Sequence, residues 1–129
     1  MATATHKLQH GFTLIELLVV MAIIATLLSI AVPKYFHSVD KSKEVILQQD
    51  LQVMRDAIDK YYGDNGKYPD TLDDLVSKKY LRKIPPDPIT DSASTWVTTP
   101  PQDSSKGGVY DLHSGAAGKG RDGTPYGTW

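Results

Sequence analysis

Gly11-Phe12-Thr13-Leu14-Ile15-Glu16-Leu17-Leu18-Val19-Val20 opens an apolar run that continues to Val32, and Glu16 is its only ionisable side chain from Phe12 onward. At about 1.5 Å per residue, a helix of that length covers roughly 30 Å, the thickness of a bilayer's hydrocarbon core. The stretch 12–32 therefore reads as a membrane-spanning helix. A carboxylate in such a segment is unfavourable by roughly 2.5–3.5 kcal/mol near the bilayer centre and less toward the helix end, so Glu16 calls for a cation. Cleavage between Gly11 and Phe12 supplies one, because the freed α-amino group of Phe12 starts the helix with Glu16 one turn away on the same side. A plainer reading leaves residues 1–11 uncut as a cytoplasmic tail and lets Glu16 snorkel toward the headgroups. A conventional secretory signal fits less well, since its apolar core runs only about 7–15 residues and its small-residue cleavage site follows that core.

The rest of the 129-residue chain, 33–129, has room for one small core. Its net charge of −1, with basic and acidic residues interspersed, gives no electrostatic footprint for nucleic acid. There is no cysteine, so no disulfide staples the domain. The leader carries Lys7, His6 and His10 and no acidic residue, which by the positive-inside tendency keeps it in the cytoplasm.

Pro33 lies inside a continuing helical pattern and predicts a kink or local unwinding, with Lys34 and Tyr35 at the level of interfacial anchors. From Lys43 to Tyr62, apolar residues recur at Leu47, Leu51, Met54, Ile58 and Tyr61/Tyr62, predicting an amphipathic helix to about 62 with one core-facing stripe. Gly63-Asp64-Asn65-Gly66 stops it. Tyr68 to Leu75 predicts a second, short helix, capped by Asp70 or Thr71, with Asp73 and Asp74 at the positive end of its dipole and Lys78 and Lys79 at the other. Ile84-Pro85-Pro86-Asp87-Pro88 forces an extended, turn-rich path. Thr95–Thr99 and Gly108–His113 keep strand character and predict a small antiparallel sheet, joined by a loop through Pro100 and Gly107. The glycine-rich tail from Ser114 is either a loop docked by Tyr126 and Trp129 or a mobile end. The fold class is α+β, a long N-terminal helix on a small C-terminal domain.

The short basic leader ending in Gly11, then Phe12-Thr13-Leu14-Ile15-Glu16, resembles the class III signal of type IV pilins and type II secretion pseudopilins. Tyr61 to Pro69, the following short helix and Tyr80 to Pro88 are similar to the major, G-type pseudopilin, so the resemblance covers Gly11 to about Pro88. It implies cleavage after Gly11, N-methylation of Phe12, and Glu16 as the residue that sets register in assembly. It further implies a single-pass inner-membrane protein with a periplasmic domain. Its partners are other copies in a helical filament, minor pseudopilins, the assembly platform and the prepilin peptidase, and that filament drives protein export across the outer membrane. A type IV pilin or minor pilin of an adhesion or motility filament is the alternative, although major type IV pilins commonly close a C-terminal loop with a disulfide. A membrane-tethered binding module is a second alternative. After Asp87-Pro88 the family often has Trp-Gly, whereas this chain reads Ile89-Thr90-Asp91.

Known members of the G-type family bind calcium in the C-terminal loop through carboxylates and main-chain carbonyls. Calcium takes about six to eight oxygen ligands. Between Ser114 and Gly123 only Asp122 is acidic, with Arg121 and Lys119 beside it, and Ala116-Ala117-Gly118 stands where the family often has Gly-x-Asp-Gly. Asp122 is the one candidate ligand, Asp111 a poor second, and Asp122-Gly123 fits a turn as well. No other cofactor is expected. An enzyme is not expected either, because the sequence has no phosphate-binding glycine loop, no paired histidine motif and no cysteine nucleophile.

Overall fold

The computed structural model describes residues 11–129; the leader positions 1–10, with Lys7, lie outside the described residues. The chain divides into two compact units, one ending at Ser38 and the other Val39–Trp129.

Helix α1 runs Leu14–Asn65. It starts where Thr13 turns its hydroxyl oxygen to the amide of Glu16 at 3.1 Å, covering one of the orphan donors of the first turn, while its carbonyl takes the first helical bond, from the amide of Leu17 at 3.0 Å. In the first unit every residue from Gly11 to Ser38 is exposed. The polar side chains there bond to their own helix, Thr26 Oγ1 to Ala22 O at 2.8 Å and Ser29 Oγ to Thr26 O at 2.6 Å, so nothing polar on this surface seeks water except Glu16 and the groups beyond Val32. Pro33 lies within α1 and lacks the N–H that would reach Ser29 O.

The second unit is built on the stripe read from the sequence. Leu47, Leu51, Met54, Ile58 and Tyr61 are buried, with Ala57 filling the step between Met54 and Ile58, and they meet Leu75, Trp96, Val109 and Leu112 in one core. Each large aliphatic side chain so buried contributes about 1.5–3 kcal/mol of transfer free energy, which is where a domain without disulfides finds its stability. The helix continues three residues past the expected end at Tyr62, because Gly63 keeps helical backbone. The reversal falls at Gly66, where φ is +70° and the amide bonds to Tyr62 O at 2.8 Å.

Helix α2, Leu72–Ser77, begins at Thr71 as its N-cap. The carboxylate of Asp74 accepts the amides of Asp70 at 2.9 Å and Thr71 at 3.3 Å, so this acidic residue serves the helix start. Lys79, at φ +66°, ends it in left-handed backbone, and the amides of Tyr80 and Leu81 both return to Leu75 O.

Strands β1, Val97–Thr99, and β2, Asp111–His113, pair antiparallel with Val97 opposite His113 and Thr99 opposite Asp111. Both are shorter than expected from sequence. Gly108 and Val109 give their amides to Pro69 O at 3.1 and 2.9 Å, so these two residues pair with the chain leading into α2 instead of with β1, while the amide of Tyr110 still reaches Thr99 O at 2.8 Å. Gly108 permits that approach: a Cβ there would collide with Asp70 O. The tail is docked, ending in a 3-10 turn, Tyr126–Thr128, with Tyr126 and Trp129 packed edge to face at 5.1 Å and both set against the core.

Candidate functional site

Three places carry the chemistry: the Gly11–Phe12 junction, the segment after β2, and a buried carboxylate in the proline-rich connection.

At the junction Gly11 is exposed, and a Cβ added to it meets nothing within 4 Å. Its φ lies outside the left-handed range that favours glycine. Among the described residues, neither packing nor backbone conformation demands glycine here. Phe12 is 81% exposed. Among the described residues no ion pair involves Glu16, whose main-chain amide is capped by Thr13 while its carboxylate lies on the apolar surface.

The segment after β2 is fastened to α1 at two points. Glu44 Oε1 accepts the amide of Arg121 at 2.8 Å and the phenol of Tyr126 at 3.2 Å; burial, then the bond to Glu44, push the Tyr126 phenol up. Three turns on, Arg55 gives Nε to Asp111 Oδ1 at 2.8 Å and Nη2 to Leu112 O at 2.9 Å and to the main-chain oxygen of Trp129 at 2.6 Å. His113 Nδ1 lies 3.1 Å from the Trp129 oxygen and 3.5 Å from Arg55 Nη2. One ring nitrogen cannot donate to the first and accept from the second, and the shorter contact assigns the proton to Nδ1.

Asp122 is an exposed turn residue. Its Oδ1 accepts the amide of Thr124 at 3.0 Å and its hydroxyl at 2.6 Å, contacts that hold the carboxyl below the usual carboxylate range. Asp111 is committed to Arg55. Among the described residues no three His, Cys, Asp or Glu side chains gather at one point. A calcium ion takes about six to eight oxygens, two or more of them carboxylate. One half-engaged carboxylate flanked by Arg121 and Lys119 does not fit that requirement.

The third place was not singled out by sequence reasoning. Asp87 is fully buried; its Oδ1 accepts the amide of Ile89 at 2.8 Å and its Oδ2 the hydroxyl of Ser114 at 2.5 Å, while its main chain closes the turn with Ser92 and Asp91. It thus ties the proline-rich connection to the residue after β2. Asp50 on α1 faces this group, and burial followed by repulsion from Asp87 raises its pKa. The signal in sequence was the Pro86-Asp87-Pro88 triplet, where an acidic residue is locked between two prolines, but nothing in it names Ser114 or Asp50 as neighbours.

An apolar helix long enough to cross a membrane, opened by a Gly-Phe junction and continuing as the spine of a small α+β domain, defines a pilin-like subunit. Residues 6–32 match the prokaryotic N-terminal methylation motif. The type II secretion system core protein G of Klebsiella michiganensis is 33% identical over 124 residues, covering 91% of this chain and 87% of its own. That of Pseudomonas aeruginosa is 35% identical over 130 residues, 86% of each, and that of Escherichia coli K12 is 33% identical, covering 86% of this chain and 83% of its own. The chain belongs to the type II secretion system core protein G family. No solved structure gives a significant match to it.

Proposed function

We propose that this chain is the major pseudopilin of a type II secretion system, made as a precursor, cut after Gly11, methylated on Phe12 and assembled from the inner membrane into a periplasmic filament that drives protein export. The observation that carries the reading is the junction. Gly11 is a glycine with no steric or conformational reason among the described residues, followed by a helical segment, to Val32, whose apolar side chains are all exposed. Such a surface needs lipid first and neighbouring helices afterwards. Assembly by heterologous contacts that do not close then gives a filament.

In this reading Glu16 pairs with the Phe12 amine of a neighbour and fixes the axial register, and breaking one side of a desolvated pair costs several kcal/mol. The domain is periplasmic, and its partners are further copies, minor pseudopilins, the assembly platform and the peptidase. The chain is a substrate of processing enzymes and performs no catalysis of its own.

Mass analysis of the mature N-terminus tests the first step: a terminus at Phe12 carrying one methyl group is expected, and Gly11→Leu is expected to abolish it. Glu16→Leu tests the second. Cleavage and membrane residence are expected to persist while helix crosslinking and filament yield on overexpression collapse. Filament yield equal to wild type at equal membrane levels removes the pairing mechanism.

A further inference from the structure

We propose that Arg55 is a built-in cation that closes the C-terminal segment onto α1, so that the ordering of this segment is independent of calcium. The inference does not rest on the filament reading, since it concerns how one copy holds its own tail.

The guanidinium sits where a bound cation would be expected to gather oxygens. Asp111 Oδ1, Leu112 O and the main-chain oxygen of Trp129 lie 2.6–2.9 Å from its nitrogens, and they come from β2 and from the far end of the tail. Arg suits this position because its planar fork donates in several directions at once and keeps its charge at any working pH. The charge matters as much as the geometry. Leu112 O is a peptide carbonyl, which concentrates negative potential without carrying charge, and Asp111 is a carboxylate only a third exposed. A positive group among them stabilises all three together.

What the tail offers a divalent ion points the same way. Asp122 Oδ1 is engaged by Thr124, Glu44 Oε1 by Arg121 and Tyr126, and Asp111 Oδ1 by Arg55 itself. The carboxylates near the tail are thus distributed singly over three anchors. Gly120 completes the arrangement by letting the Trp129 ring lie against the backbone, where any Cβ would intrude on it. The ring nitrogen of Trp129 is held by Thr124 Oγ1 at 2.7 Å, so the Asp122–Thr124 turn and the Arg55 site are connected through one residue.

The test is hydrogen exchange, read by mass spectrometry on peptides from 114–129, of the full chain in detergent micelles with excess chelator and with millimolar calcium chloride. For wild type the protection is expected to be the same in both. Arg55→Ala is expected to lower protection of these peptides about tenfold or more, the size expected for losing hydrogen bonds to a charged group, while peptides from α2 stay unchanged. Arg55→Lys, which keeps the charge but loses the fork, is expected to fold and to fall between the two. Calcium-dependent protection of the wild-type tail overturns the proposal, and so does an Arg55→Ala tail as protected as wild type.

Discussion

Asp87 gives the sharpest stability prediction. Replacing it with Ala removes both carboxylate oxygens from a site with no access to water and strands the amide of Ile89 and the hydroxyl of Ser114. Hydrogen bonds to a charged group contribute about 1.5–3 kcal/mol each, so two set a gross loss of about 3–6 kcal/mol. Two effects offset part of it: the variant no longer buries a charge, and Asp50 loses a repulsive neighbour. Ser114 Oγ also keeps one bond, accepting the amide of Ala116 at 3.1 Å. The expected net loss is about 3 kcal/mol, which at a urea dependence of about 1.5 kcal/mol per molar moves the unfolding midpoint down by about 2 M. Tryptophan fluorescence reports it well, because Trp96 is buried and donates its ring N–H to the neighbouring Pro85 O at 2.8 Å. Asp87→Asn keeps one acceptor and should lose about half as much. A change below about 1 kcal/mol for Asp87→Ala would refute the claim that this carboxylate pins the proline-rich connection to the end of β2.

Asp50 should show the opposite sign. Its folded pKa is raised above the ordinary value of 3.8, so the folded state holds a proton that the unfolded chain has released, and stability is lost as pH rises through that window and stays lost at neutral pH. Asp50→Asn is therefore expected to be more stable than wild type at pH 7 and equal to it below the ordinary carboxylate pKa, measured by paired urea titrations; no difference at pH 7 would count against the Asp50–Asp87 repulsion. Gly108→Ala is expected to lose about 1–3 kcal/mol, since its new methyl meets the Asp70 carbonyl and must push apart the Pro69 contacts, whereas Gly63→Ala, with nothing within 4 Å, should be stabilising by a few tenths of that to about 1 kcal/mol. Thermal melts of the two variants side by side separate crowding from the general effect of losing a glycine.

The sequence by itself determined the features that depend on neighbours three or four residues away. The apolar run, the lone Glu16, the Gly11–Phe12 junction and the stripe from Leu47 to Tyr61 are properties of local spacing, and helical geometry turns spacing directly into a face. The start of α2 was legible for the same reason, since a cap and its acceptor lie within one turn. Tertiary structure alone decided the rest. Arg55 reads in sequence as one more charge on the polar face of an amphipathic helix, yet its partners lie 56–74 residues away. Asp87 meets a serine 27 residues on, and β2 starts late because Pro69, far outside either strand, takes the amides of Gly108 and Val109. The tail offered two readings, docked or mobile, and the structure chose the first through Glu44, Arg55 and the Tyr126–Trp129 pair. A polar group pays no visible cost in sequence for being exposed or buried; that is set by which distant donor or acceptor the folded chain brings to it, and only the completed packing fixes the match.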